Sequence, residues 1–577
     1  MALQSWKGFV RRWMKAYTLS YDAKAQLSVL DKTSKAASDI LKSMMAIADE
    51  AIPRAAENIA LAIGALCVVL PPSVHTVKSA ASKFLLEWLL QHEQEHRQWS
   101  AAISLGLISS CLHVTDHKQR YHNITGLLEL LFDGRSSLVK GACGVGLGFS
   151  CQDLLTRVET SVTSTVMKET EKIPESELLG RIITALATMI QQRTQCSSDV
   201  LHSLCSCFPL GSYDISGKAY EHISDSTEDL EEDIWGVAGL VLGLANSISA
   251  IYRAGELETV IKIKNLVISW LPYVHSVVEI KTFLGKESEI VLALGSCIAL
   301  PTIVAFCQRM ELMDDAELDH IVIAYKELIS ELISVKKSGI LHHSMLMASC
   351  AGAGTVLSCI LKEGVYSFEA EQVKCLLELF RKCYVLKEGV YLNAFPSLVH
   401  LGGMLGVVNA IGAGAEILVN MNFPKYTRQS DYQKESSSVM GPPLSSSDFE
   451  PYLTSLVQEL FLVAQNSDTQ QLQQFASWVL AFLRHHLWSR ELLGVDSDSS
   501  VAETSSKSVS HSFSEDSVVL KLSLWLMDFK YTESGTVDTV IAVLRCLSRA
   551  PRLPSLDWGS IIRRCMRYEV KVVAYSK

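Results

Sequence analysis

The sharpest chemical pattern in the chain is the run HEQEH, which sets His92 and His96 four positions apart with Glu93 between them. On a helix such a pair shares one face a turn apart and suits Zn2+, while the intervening carboxylate activates a metal-bound water. His113, His117 and His122 follow as candidate third ligands. Five-residue patterns with three fixed positions also arise by chance, the surrounding Glu and Gln suit a solvated helix end, and no wider metallopeptidase signature follows. The sequence therefore favours an ordinary helix end, and no catalytic, cofactor-binding or metal-ligating residue is assigned. A zinc metallopeptidase stands as an alternative reading.

Two further runs invite chemistry. Gly141, Gly144, Gly146 and Gly148 in GACGVGLG resemble a phosphate-cradling loop only superficially, because the spacing fits neither GxGxxG nor the P-loop and no strand pattern precedes it. The acidic run Glu221 to Asp233 lacks the EF-hand spacing and reads as a solvated loop before the next helix.

Those glycines belong to a larger pattern, seen most clearly from Trp235 to Tyr252. That stretch is uncharged and lies between Asp233 and Arg253. Val237, Val241, Leu244, Ile248 and Ile251 recur at helical spacing as a bulky stripe, and Gly236, Gly239, Gly243 and Asn246 form a second stripe of small residues. Each helical Gly costs about 1 kcal/mol relative to Ala, so the small stripe implies close helix packing that returns that energy.

The same cassette recurs as NIALAIGALCVVL, AAISLGLISSC, GACGVGLGFSC, IITALATMI, IVLALGSCIAL, MASCAGAGTVLSCIL and LVHLGGMLGVVNAIGAG, making eight copies in all. With Gly64, Gly106, Gly146, Ala187, Gly243, Gly295, Gly352 and Gly406 as markers, successive spacings are 42, 40, 41, 56, 52, 57 and 54. The early pitch matches HEAT or armadillo units of ~40 to 47 residues, and the later pitch implies longer loops. Between cassettes lie amphipathic partners, such as Leu318, Ile321, Tyr325, Leu328 and Leu332, or Val373, Leu377, Phe380 and Tyr384. The expected fold is an all-α, HEAT/armadillo-like helical-repeat solenoid over residues 1–420. Charged positions on the partner helices, such as Lys374, Glu378 and Arg381, are candidate contact positions.

Beyond the array, residues 421–448 and 491–517 read as flexible linkers, the latter Ser-rich, with Ser497 and Ser514 near acids as candidate phosphate acceptors. Residues 449–490 read as a helical pair and 518–577 as C-terminal helices. The chain ends abruptly at VVAYSK with no polar terminal cap, so a longer protein is expected. At the other end Trp6, Val10, Trp13 and Tyr17 share one helical face and Lys7, Arg11 and Lys15 another, an amphipathic helix that reads as covering the end of a core.

Composition narrows the function class. A formal charge of -10 argues against wrapping nucleic acid by charge, so no direct nucleic-acid binding is expected. Fifteen cysteines without a CxxC pair, many in apolar helical runs, point to a reducing compartment, and the absence of a signal-peptide pattern makes the cytoplasm the expected location. Ile290 to Gln308 and Ser338 to Leu361 are long enough to cross a bilayer, which gives a multi-pass membrane protein as a further alternative. Their His, Gly, Ser and Pro301 content and the absence of aromatic belts favour burial in protein, so no membrane insertion is expected.

Three segments, SWKGFVRRWM at Ser5 to Met14, VKGACGVGLGFSCQDLL at Val139 to Leu155 and SLDWGSIIRRCMRYE at Ser555 to Glu569, resemble the C-terminal part of plant members of the focadhesin family. The resemblance implies a non-catalytic helical-repeat scaffold that links the cytoplasmic RNA exosome to the Ski complex in RNA surveillance. It also implies plant roles in cuticular wax formation and embryo development.

Overall fold

The computed structural model describes residues 29–410 with internal breaks, the longest at 157–173 and 209–229, followed by 455–464, 470–480, 518–528, 536–547 and 553–565. The described residues are helical throughout their regular structure, with no strand among them, so the fold is all-α. They divide into two compact units, one built on Met1–Leu328 and the other on Leu346–Glu416 and Lys425–Lys577.

In the first unit the helices are α1 (Val29–Glu50), α2 (Pro53–Val69), α3 (His75–Leu89), α4 (Glu95–Ser109), α5 (His117–Asp133), α6 (Ser137–Ser150), α7 (Glu175–Thr194), α8 (Asp199–Leu204), α9 (Leu230–Arg253), α10 (Leu257–Ser269), α11 (Glu287–Arg309) and most of α12 (Asp315–Ser334). Five cassette helices, α2, α4, α6, α9 and α11, lie side by side in one row. Paired positions advance together along both members of each neighbouring pair. Gly64 meets Ser104 and Cys67 meets Cys111; Glu95 meets Ser136 and Gly106 meets Gly146; Gly141, Gly144 and Gly148 meet Gly236, Gly239 and Gly243. Val241 meets Gly295, and the rings of Tyr252 and Phe306 lie 5.7 Å apart. Advancing registers mean parallel helices.

Small residues are what allow this approach. A Cβ built on Gly243 would lie 2.2 Å from the Gly144 carbonyl oxygen, and one on Gly106 would lie 2.3 Å from that of Gly146. The bulky stripe of α9, Val237 to Ile251, is fully buried on its other side. Burying side chains of that size stabilises by about 1.5–3 kcal/mol each, which outweighs the helical cost of the glycines.

The fourth cassette, IITALATMI, departs from the expectation. It forms α7, but α6 packs directly on α9, so α7 does not stand between them. The marker Ala187 therefore does not belong to the row. α7 lacks the run of glycines that α6 and α9 turn toward each other, and its buried face is built chiefly from Leu, Ile, Met and Ala.

Pro301 sits inside α11 and cannot donate the helical bond to the Cys297 carbonyl four residues back. The buried Tyr325 hydroxyl of α12 donates to that oxygen at 2.9 Å instead. The partner-helix stripe that contains Tyr325 is buried as its periodicity implies.

The second unit holds most of α13 (Ile340–Glu363), then α14 (Ala370–Lys382), α15 (Ser397–Val408), α16 (Ser455–Ala464), α17 (Gln470–Leu480), α18 (Val518–Asp528), α19 (Thr536–Leu547) and a last helix at 558–565. Helices α13 and α15 repeat the parallel close approach, with Met347 against Gly402 and Gly354 against the Gly406 carbonyl. Asn409 reinforces it, its amide donating to the Ala351 carbonyl at 3.2 Å and to the Thr355 hydroxyl at 3.0 Å. The N-terminal amphipathic segment and both expected linkers lie outside the described residues.

Candidate functional site

The HEQEH run falls on a break between helices. α3 ends at Leu89 and α4 begins at Glu95, while Gln94, inside the run, has φ -124° and ψ 78° and is not helical. His92 and Glu93 lie outside the described residues, and His96 is the second residue of α4. The single helical face that would present both imidazoles to one metal is not formed. Of the third-ligand candidates, the His113 ring nitrogen lies 2.9 Å from the Thr115 hydroxyl, and His117 and His122 sit on α5. Among the described residues no group of three His, Cys, Asp or Glu is placed to hold a metal ion. The glycines of GACGVGLG lie within α6, turned toward the backbones of α4 and α9. Most of the acidic run at 221–233 lies outside the described residues.

Four long cationic side chains, three of them buried and Arg253 half-buried, act on backbone ends, while the buried Arg181 pairs with Glu177. Lys78 of α3 donates to the Leu70 carbonyl at 2.9 Å and the Cys111 carbonyl at 3.4 Å, just past the ends of α2 and α4. Arg253, closing α9, donates to the carbonyls of Cys151, Gln152 and Leu154 beyond α6 at 2.9–3.0 Å. Lys264 of α10 reaches the Leu312 carbonyl beyond α11 at 3.1 Å and Glu317 at 2.7 Å. Arg120 of α5 donates to the Leu112 carbonyl at 3.3 Å and joins Asp153 at 2.5 Å and Glu175 at 3.2 Å; Glu175 in turn accepts from the Leu155 N–H at 2.8 Å. In four places, then, a long cationic side chain satisfies carbonyls that a helix end leaves without intrahelical partners. Sequence reasoning missed this set because its partners are backbone atoms, which carry no residue signature.

No nucleophile emerges from the buried thiols. Burial pushes Cys111 up to about 11 despite the neighbouring Lys78 ammonium, and Cys151 up to about 12 despite Arg253. Burial alone raises Cys143, and it dominates at Cys67. Thiols held neutral are poor nucleophiles. The Sγ atoms of Cys350 and Cys383 approach to 3.9 Å.

Exposed apolar surface is the other distinctive feature. In the first unit Ile52, Pro53, Arg54, Glu57, Trp99 and Leu138 line a shallow groove of about 640 Å³ at the N-terminal ends of α2, α4 and α6. In the second unit Leu401, Phe475, Trp478, Ile541 and Arg545 line another, of about 540 Å³, across α15, α17 and α19. Trp478 is 45% exposed there. The expected contact positions on α14 behave differently. Arg381 is committed within the chain, its guanidinium forking onto Glu459 of α16 at 2.6 and 2.7 Å with Glu378 at 3.3 Å, so neither Arg381 nor Glu378 is a spare surface charge. Lys374 is half-buried.

No protein-family profile matches the sequence, and no curated protein matches it. Among solved structures, the chain is similar to one described only as an engineered protein, at 14% identity over 88% of this chain and 98% of that one, with a TM-score of 0.23. A superposition that weak carries no inference.

Proposed function

We propose that this chain is a non-catalytic scaffold of HEAT/armadillo-like helical repeats that works by binding other proteins. The observation that carries the reading is the exposed groove around Trp478, set against long cationic side chains that are spent on capping helix ends. Exposed aromatic side chains in a shallow groove are what hot spots for protein partners are made of, whereas catalysis needs converging titratable groups. The focadhesin resemblance supplies the candidates: the chain acts in the cytoplasm as an adaptor between the RNA exosome and the Ski complex, in the RNA surveillance that underlies cuticular wax formation and embryo development.

Purified chain is tested for binding to each reconstituted complex, beside the variant Trp478→Ala/Ile541→Ala. The expected result is capture of at least one complex by the native chain and loss of about tenfold or more in affinity for the variant, since a hot-spot residue contributes about 2 kcal/mol or more. Capture of neither complex, with the helical spectrum intact, removes the adaptor reading.

A membrane-spanning reading draws on three helices long and apolar enough to cross a bilayer, Ile234–Arg253, Glu287–Arg309 and Ile340–Ile360. Their most apolar windows are 89%, 89% and 78% buried within the protein, which supports packing between helices instead. Retention of the chain in carbonate-extracted membranes would reverse that preference.

A further inference from the structure

We propose that Cys350 and Cys383 form a reversible disulfide, a redox latch that fastens the middle of α13 to the end of α14. Both thiols are buried, and their Sγ atoms lie 3.9 Å apart although the residues are 33 positions apart in sequence. A disulfide holds its sulfurs about 2.05 Å apart, so closure needs a movement of about 2 Å shared between two side chains and one helix end.

The setting of the pair supplies that movement. Cys383 is the first residue past α14; its N–H donates to the Phe380 carbonyl at 3.1 Å, and its thiol donates to the Leu379 carbonyl at 3.5 Å. Backbone at a helix end shifts with little loss of helical hydrogen bonds, whereas Cys350 stands inside α13 and forms the fixed side. α15 lies against both residues. A Cβ on Gly403 would lie 2.7 Å from the Cys383 Cβ, and one on Gly406 would lie 2.9 Å from the Cys350 carbonyl oxygen. A bond between α13 and α14 therefore also restrains the helix that touches both.

Oxidised glutathione, a small disulfide, is the oxidant. When the end of α14 opens, the Cys383 thiol gives its proton to solvent and its sulfur attacks the glutathione disulfide, which forms a mixed disulfide and releases one glutathione thiolate. The Cys350 thiolate then attacks the Cys383 sulfur and releases the second. Two protein thiols become one disulfide, and one glutathione disulfide becomes two glutathiones. Because both sulfurs are buried, opening gates the exchange, which runs over minutes to hours. A reducing compartment keeps such a pair as thiols, and an oxidising episode closes it.

The full chain, incubated under native conditions with oxidised glutathione and then alkylated, tests the proposal by peptide mass mapping and hydrogen–deuterium exchange. A peptide pair linked through Cys350 and Cys383 should appear, lighter by two hydrogens and separated again by dithiothreitol. Amides of α13 and α14 should exchange about tenfold more slowly in the oxidised chain than in the reduced one, with α4 and α6 unchanged. Neither the link nor the slowing should appear in Cys383→Ser or Cys350→Ala. The comparison of oxidised with reduced native chain needs no substitution, so it decides the matter whether or not the variants fold. Two thiols still free after a day, or a lasting glutathione adduct on Cys383 that Cys350 does not displace, overturns the proposal. So does a link that leaves exchange in α13 and α14 as it was.

Discussion

At the scale of single residues, the glycines of the row are the least replaceable positions. Ala at position 243 gains about 1 kcal/mol of helix propensity. Its methyl would meet the Gly144 carbonyl at 2.2 Å, and backbone cannot rotate away as a side chain can. Overpacking of this kind costs about 1–3 kcal/mol or more, so Gly243→Ala should lower stability, while Gly339→Ala, with nothing within 4 Å, should stay within ~0.5 kcal/mol. Denaturant midpoints compare the two. Tyr325 offers a second test. Tyr325→Phe removes the hydroxyl that donates to the Cys297 carbonyl and should cost about 0.5–1.5 kcal/mol, but less in a Pro301→Ala background, where a helical N–H is added. Equal costs in both backgrounds would mean the hydroxyl does not stand in for the proline's missing bond. The buried thiols set an alkaline limit. Unfolded cysteine ionises near pH ~8.5, whereas Cys111 is held up to about 11 and Cys151 and Cys307 up to about 12. Between those values the unfolded chain has lost protons that the folded chain keeps, so stability is fully present below pH ~8.5 and falls as pH rises, by up to ~1.4 kcal/mol per unit per thiol. The decline should be shallower in Cys151→Ala/Cys307→Ala; an unchanged slope would assign it to other groups.

At the scale of helices, the close approach between row members was legible because it is written in two stripes on the same segment. Val237 to Ile251 announce burial and Gly236 to Asn246 announce a near neighbour, and the structure puts each stripe where its residue sizes demand. Spacing could not say which neighbour. IITALATMI shares the small-residue count of the row yet lies beside it, because a count of small residues does not say which neighbouring helix they face. HEQEH shows the same limit of local patterns: the metal-binding reading presumes a continuous helix, and the chain turns at Gln94. Surface charges on α14 looked spare because Glu459 is 78 residues distant in sequence. That pair joins α14 to α16, and with side chains 37% and 28% exposed a double-mutant cycle on Arg381 and Glu459 should give ~0.5–1 kcal/mol, shrinking with salt. A coupling near zero would leave it as a geometric contact alone.

At the scale of the whole molecule, neighbours in a row meet chiefly one another, so damage should stay local. Gly406→Val, whose side chain would meet the Cys350 carbonyl and the Phe380 ring, should speed exchange in α13 and α15 while α4 and α6 keep their native protection. Uniform loss across both units would mean that the chain unfolds as one. The glycine track has one more consequence. Where a side chain would stand on Gly106, Gly141, Gly146, Gly148, Gly239, Gly243 and Gly354 there is a Cα hydrogen, directed at a carbonyl oxygen of the adjoining helix. Weak Cα–H···O bonds of this sort contribute about 0.5–1 kcal/mol each and require no rotamer to be frozen. Helices so joined recognise one another through main chain, which leaves the side chains of their outer faces free to vary with whatever the protein must hold.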